Sequence, residues 1–456
     1  MSATAPIAPQ TATADPPTRH PRGLYLLFTT EMWERMSFYG MRALLVLYMT
    51  DKAHGFGWDK RSALSVYGWY TGLVYLTPVL GGMLADRYLG QRRAITIGGV
   101  LMMIGHFLMA VPGIPAFYAA LSFLIAGNGL FKPNISTMVG GLYKPGDPRR
   151  DGAFTIFYMG INVGAWLAPY ICGTLGEKVG WEWGFASAGV GMALGLVVFL
   201  ALAKRLLGDI GTGPAKVDKA KGDPASHEEE KPLTPEEKDR VKVILILALF
   251  VVFFWAAFEQ AGGLMNLYTD EKVNRVLFGW QIPTTWFQSV NPAFIVLLGP
   301  LFAGLWTRLG KEGRDPSIPA KMGGGLLLLS LGFLFMLGAS LQSEAAGKAA
   351  LLWVVAAYLF HTMGELCLSP VGLSMVTKLA PKRYASLLMG VWFMANAVAN
   401  KLAGAIGGYA EDLGEFKLFA VIVAFTTLAG VALVALSGPL RKMMHGADKI
   451  ETAPGH

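Results

Sequence analysis

The sequence predicts an all-α integral membrane fold with twelve transmembrane helices in two six-helix bundles. Three observations predict it. Hydrophobic residues make up 53% of the 456 residues and charged residues 15%, where a soluble domain carries roughly a quarter charged. Apolar runs recur between residues 24 and 437, each near the 20 or so residues needed to cross about 30 Å of hydrocarbon. A polar, Pro-containing stretch ending in SHEEEKPLTPEEKDR divides the chain close to its middle, too charged to lie in lipid.

Taken in order, residues 1–22 are rich in Pro, Ala and Thr and lack the apolar core of a secretory signal, so they are expected to form a disordered cytoplasmic tail. The N-terminal bundle is expected over 23–204, with spans near 24–50, 62–84, 93–113, 116–139, 152–174 and 184–204. Residues 205–240 read as a cytoplasmic linker. The C-terminal bundle follows over 241–438, with spans near 241–268, 287–306, 322–341, 349–376, 384–408 and 416–437, and 439–456 form a second cytoplasmic tail. Basic residues fall in alternate loops: Arg87, Arg92 and Arg93, then Lys144, Arg149 and Arg150, then Lys204 and Arg205, then Arg308, Lys311 and Arg314, then Lys382 and Arg383. Cationic loops stay on the cytoplasmic side, which places both termini there; a multi-pass protein of a bacterial inner membrane is expected. Topology therefore accounts for the net charge of +8, and no nucleic-acid partner is expected. Cys172 and Cys367 lie far apart in apolar segments and read as packing residues, with no disulfide or metal site. The halves echo one another: Leu84-Ala85-Asp86-Arg87-Tyr88-Leu89-Gly90 follows the second span, and Leu305-Trp306-Thr307-Arg308-Leu309-Gly310 follows the eighth. Such repeats mark duplicated transporter halves.

A charged side chain at the bilayer centre costs about 2.5–3.5 kcal/mol, so an intramembrane charge needs a partner and usually a task. The first span holds Glu31, Glu34, Arg35 and Arg42 within EMWERMSFYGMR. At about 100° per residue they fall on one helical stripe flanked by Phe38 and Tyr39.

That stripe resembles the Glu-x-x-Glu-Arg motif on helix 1 of the proton-dependent oligopeptide transporters, the POT family, a branch of the major facilitator superfamily. Gly82-Met83-Leu84-Ala85-Asp86-Arg87 with Gly90-Gln91-Arg92-Arg93 resembles that superfamily's loop between helices 2 and 3. Further matches are Phe131-Lys132-Pro133-Asn134, Phe157-Tyr158 with Ile161-Asn162-Val163-Gly164, Trp255 to Glu259-Gln260, Asn291-Pro292, Glu365 with Ser369-Pro370, and Trp392-Phe393 with Asn396. Met36 and Phe38 stand where the family has Phe and Tyr, and Gly68 stands where some relatives carry a helix 2 histidine. The linker leaves no room for the two additional helices of many bacterial relatives, so the twelve-helix major facilitator fold is implied.

The resemblance implies a proton-coupled symporter of di- and tripeptides working by alternating access, with protons as coupling ion and no organic cofactor or metal. A peptide has an ammonium and a carboxylate at its ends, so a site indifferent to sequence grips the ends. Arg42 and Lys132 are the candidates for the carboxylate, Glu365 for the ammonium, and Asn162 and Asn291 for backbone amides. Tyr39, Tyr75, Trp255, Ser369 and Trp392 complete the expected binding set. Glu31, Glu34, Arg35 and Glu259 are the candidates for proton coupling. Two pairings across the halves are expected, Arg42 with Glu259 and Lys132 with Glu365. Asp86 and Arg87 are expected to latch the cytoplasmic side through ion pairs, and Pro370 to bend span ten. A monomer is expected. The same fold also suits nitrate or another amphoteric solute. A membrane-embedded enzyme is disfavoured, because neither His-Glu-x-x-His nor Gly-x-Ser-x-Gly occurs and His106 and His361 stand isolated among apolar residues.

Overall fold

The computed structural model describes residues 19–144, 147, 149–214 and 233–447. Most of the expected tails and the centre of the expected linker lie outside them. Twelve helices of nineteen residues or more occur among the described residues. In the first half they are α1 (Arg22–Thr50), α2 (Lys60–Leu84), α3 (Gln91–Met109), α4 (Ile114–Gly141), α5 (Arg149–Ala168) and α6 (Trp181–Leu207). In the second they are α7 (Pro235–Phe258), α8 (Val290–Lys311), α9 (Ile318–Ala346), α10 (Leu351–Leu379), α11 (Ala385–Gly408) and α12 (Glu415–Ala435). A short helix, α13 (Ser437–Met443), follows.

Eight of the twelve are long and apolar enough to cross a membrane by length and composition alone. The exceptions are α1, α2, α3 and α11. Of these, α1 carries the charged stripe, and α11 carries Asn396, Asn400 and Lys401. Such helices are stable only where other helices shield their polar residues, so hydropathy alone undercounts the bundle.

Local chemistry sets the helix limits. Asp59 opens α2 by accepting from the Ser62 amide, and Thr234 opens α7 through a capping box with Glu237. Both α6 and α7 therefore reach into the stretch expected to be linker. Near its end α5 widens into a π turn at Pro169–Gly173, where proline removes a backbone donor, and resumes over Thr174–Lys178. Helix α7 breaks at a 3₁₀ turn, Glu259–Ala261, before Gly262 and Gly263, and continues over Leu264–Lys272.

Each half has its own apolar core. Leu24, Leu44, Phe117, Phe131, Phe185 and Phe199 are buried in the first, and Phe254, Phe333, Met336 and Phe419 in the second. Interior backbones approach closely: a Cβ on Gly81 of α2 would lie 1.9 Å from the carbonyl oxygen of Gly129 in α4. We expect Gly81→Val to lower the thermal midpoint of the detergent-purified protein, overpacking of this kind costing about 1–3 kcal/mol. A midpoint equal to that of the parent would refute this close packing.

The halves join through α2 against α11 and α5 against α8. Several polar contacts across the join lie at the end opposite the α6–α7 connection. There Lys60 reaches Glu271 (2.6 Å) and Glu415 (3.3 Å), Arg61 pairs with Asp412, and Asn266 donates to the Ala43 carbonyl (3.0 Å). This far end is closed. The turn at Ala85–Leu89 is at the other end, and both Asp86 and Arg87 are exposed on it. Neither makes an ion pair among the described residues, so the expected latch is not formed in this state.

Candidate functional site

Two charged clusters, one inside the first half and one across the join, grow out of the α1 stripe. Glu31 and Glu34 are completely buried and Arg35 nearly so. Their helical spacing aims all three at α4, where Lys132 and Asn128 face them. Arg35 binds Glu34 with two guanidinium nitrogens and lies 3.4 Å from Glu31. Lys132 pairs with Glu31, and Asn128 donates to Glu34 (3.5 Å). The Arg35 guanidinium also sits over the Phe38 ring at 4.9 Å. Two carboxylates face two cations, so the cluster is neutral when all are ionised, the condition under which buried charge is tolerated. One oxygen, Oε2 of Glu31, has no hydrogen-bond partner.

Lys132 was expected to pair with Glu365 across the halves. The structure instead gives Lys132 to Glu31. Glu365 accepts from Asn291 (2.9 Å), whose amide also donates to Thr362 (3.0 Å).

The second cluster does cross the halves. Arg42 lies two turns beyond Arg35, and its guanidinium pairs with Glu259. Its Nε donates to the Tyr67 hydroxyl (2.6 Å). The break of α7 just after Glu259 brings that carboxylate to α1, as the resemblance implied.

Between the halves lies a cavity of about 290 Å³, close to the lower end of small-molecule sites. Nine of the expected residues line it: Tyr39, Arg42, Tyr75, Asn162, Trp255, Glu259, Asn291, Glu365 and Ser369. Charged groups stand on both walls, Arg42 on the first half and Glu259 and Glu365 on the second. Ser369 Oγ is buried without a partner. Pro370 is within α10. Lys132, Glu31, Glu34 and Arg35 are not among the cavity's lining residues and belong to the cluster within the first half. Trp392 is buried behind the opposite wall against Gly372.

Sequence reasoning missed several lining residues. Tyr158, Gln288, Tyr358 and His361 also face the cavity. Helical spacing carried the signal: Tyr158 is one turn before Asn162, Gln288 one turn before Asn291, and His361 one turn before Glu365. His361, isolated among apolar residues in the sequence, has no partner for either ring nitrogen. Lys401 of α11 sits 4.7 Å from the Trp69 ring centroid.

Known proteins share this sequence and fold. The sequence profile of the POT family matches residues 92–207 and 220–417. A transporter of Bacillus subtilis, YclF, is 39% identical over 94% of this chain and 96% of its own length. The peptide transporter YePEPT of Yersinia enterocolitica is 36% identical over 97% of this chain and all of its own. A di-/tripeptide transporter of Lactococcus lactis is 34% identical over 93% of this chain and 96% of its own. Among solved structures, peptide transporter POT in complex with sulfate superposes with a TM-score of 0.86 at 36% identity, covering 93% of this chain and 96% of that one. A POT family transporter in complex with 5-aminolevulinic acid gives 0.84 at 32%, covering 92% and 97%. With the charged α1 stripe, the Arg42–Glu259 pair and the matched profile in place, the chain belongs to the POT family, with that family's all-helical major facilitator fold.

Proposed function

We propose that this protein imports di- and tripeptides together with protons by alternating access, as a monomer in a bacterial inner membrane with both termini cytoplasmic. Protons are the coupling ion, and neither an organic cofactor nor a metal takes part. One observation carries the reading: Arg42 and Glu365 face one cavity from opposite halves, each with a polar neighbour, Tyr67 or Asn291, to hold it. A zwitterion bound between them draws the halves together. An extended dipeptide spans roughly 7 Å, short enough to be enclosed.

Arg42 binds the peptide carboxylate in a bidentate way after releasing Glu259, and Glu365 binds the ammonium. Asn162, Asn291 and Ser369 supply amide and hydroxyl groups to the peptide backbone, while Tyr39, Tyr75 and Trp255 bound the space for side chains, and Trp392 supports the wall from behind. The Glu31, Glu34, Arg35 and Lys132 cluster takes up a proton, and Glu31 Oε2, unpartnered, is the oxygen that receives it. Pro370 gives α10 its bend, and Asp86 and Arg87 close the near end in the opposite state.

The reading is tested by uptake of labelled dialanine into proteoliposomes. Replacing Glu365 by Gln removes the ammonium's counter-charge and is expected to raise KM about tenfold or more, since charge-assisted hydrogen bonds are worth ~1.5–3 kcal/mol. An unchanged KM would remove Glu365 from the site. A second reading, transport of another small amphoteric solute, is favoured by the relative solved with 5-aminolevulinic acid. Competition decides: strong displacement of dialanine by that acid but none by other dipeptides would favour the second.

A further inference from the structure

The far end of the α5–α8 join carries a carboxylate that the transport site does not use. Glu177 closes α5, and the first turn of the next helix on the other half, a 3₁₀ turn at Thr284–Ser289 leading into α8, has no side-chain cap of its own. Glu177 supplies one. Its Oε2 accepts from the Thr284 amide (2.8 Å), and its Oε1 accepts from the Thr285 amide (2.8 Å) and the Thr285 hydroxyl (2.7 Å). Arg275 adds positive charge 3.8 Å from Oε2, while its other contacts, Asp270 (2.7 Å) and the Ile282 carbonyl (2.7 Å), tie the end of α7 to the start of α8.

An anion at a helix N-terminus satisfies amides that have no intrahelical partner and meets the positive end of the helix dipole. Here the anion and the helix belong to different halves. A local cap has thereby become a contact between the bodies that alternating access must separate. The seat is close-fitting: a Cβ on Gly173 would lie 1.9 Å from Thr285 Oγ1, Trp286 Nε1 donates to Thr174 Oγ1 (2.9 Å), and Ser289 Oγ donates to the Trp166 carbonyl (2.8 Å). Gln288 and Asn291, both in the cavity wall, follow within two turns. Parting Glu177 from Thr284 and Thr285 therefore moves that wall.

We propose that Glu177 is the positioning residue that holds the far mouth of the carrier shut, by capping the N-terminus of α8 from the opposite half. The proposal rests on the alternating-access reading above, and its test does not require knowing the solute. Opening the mouth exposes two amides, one hydroxyl, Arg275 and the carboxylate together. At the opposite seam the Arg61–Asp412 pair offers a weaker hold, since both residues are exposed and such pairs are screened by solvent.

The test is a spin-label distance measurement on the full chain in lipid nanodiscs without peptide. Labels at Val111→Cys and Ala346→Cys, both exposed at the far end, report the spread between the halves; Cys172 and Cys367 are buried and serve as the unlabelled background. Glu177→Ala is expected to raise the long-distance population about fivefold, the effect of a modest coupling between two states. Glu177→Gln, which keeps one carbonyl acceptor, is expected to fall between alanine and the parent, and Arg61→Ala to shift it less. Should Glu177→Ala not fold, Thr285→Val removes one donor from the same cap and is expected to shift the population in the same direction. Distributions superimposable on the parent for every foldable variant of the cap would overturn the proposal, as would an equal shift from Arg61→Ala. Failure of the parent to take up dialanine would sink the peptide reading and leave the distance result standing.

Discussion

Arg42→Ala is expected to lower kcat/KM for dialanine on the order of 100-fold or more, in exchange and in proton-driven uptake alike. The removed guanidinium is joined to Glu259 and Tyr67, and Glu259 is buried. Removing one member of a buried ion pair strands the other, at a cost of about 3–5 kcal/mol, and 1.4 kcal/mol is a factor of about ten. The stranded carboxylate also faces the cavity that an anionic peptide terminus must enter. Arg42→Lys restores the charge without the planar two-pronged donor, so it is expected to recover only part of the loss. Initial rates in proteoliposomes check both variants. Alanine retaining most of the parental rate would show that the pair is only structural.

Glu34→Gln is expected to separate two activities that the parent performs together. Peptide-for-peptide counterflow continues, because exchange moves no net proton. Concentrative uptake is lost. At 100 mV, about 2.3 kcal/mol per charge supports roughly 50-fold accumulation of a zwitterion carried with one proton, and the variant is expected to fall toward equilibration. The geometry supplies the reason. Arg35 spends two nitrogens on Glu34, and without that carboxylate the cluster keeps two cations against Glu31 alone, the charge state that protonation would otherwise create. Accumulation at the parental level in Glu34→Gln would remove this residue from coupling.

The α1 stripe was legible because helical periodicity depends on local spacing alone. Glu31, Glu34, Arg35 and Arg42 share a face in any straight helix, and the burial of the first three in the structure follows from that face turning inward. Which helix supplies the partner is a tertiary question that spacing does not answer. Lys132 illustrates it: its position on α4 is visible in the sequence, but its attachment to Glu31, in place of Glu365, depends on how closely α4 approaches α1. Glu177 was invisible for the same reason, because two of its partners are backbone amides more than a hundred positions away, and backbone groups leave no residue-type signal. Hydropathy alone leaves α1 and α11 out of the spans for the opposite reason, since their polar residues carry the very features that made the family resemblance readable.

The account depends on buried charges that make peptide and proton movement a single event. The most direct measurement follows lumenal pH in proteoliposomes holding a trapped pH dye, at zero imposed gradient, while dialanine is added outside. Peptide-dependent acidification that tracks labelled uptake in the parent, and disappears in Glu34→Gln while counterflow persists, is the predicted result. Dialanine entering at the parental rate with no change in lumenal pH would contradict the account.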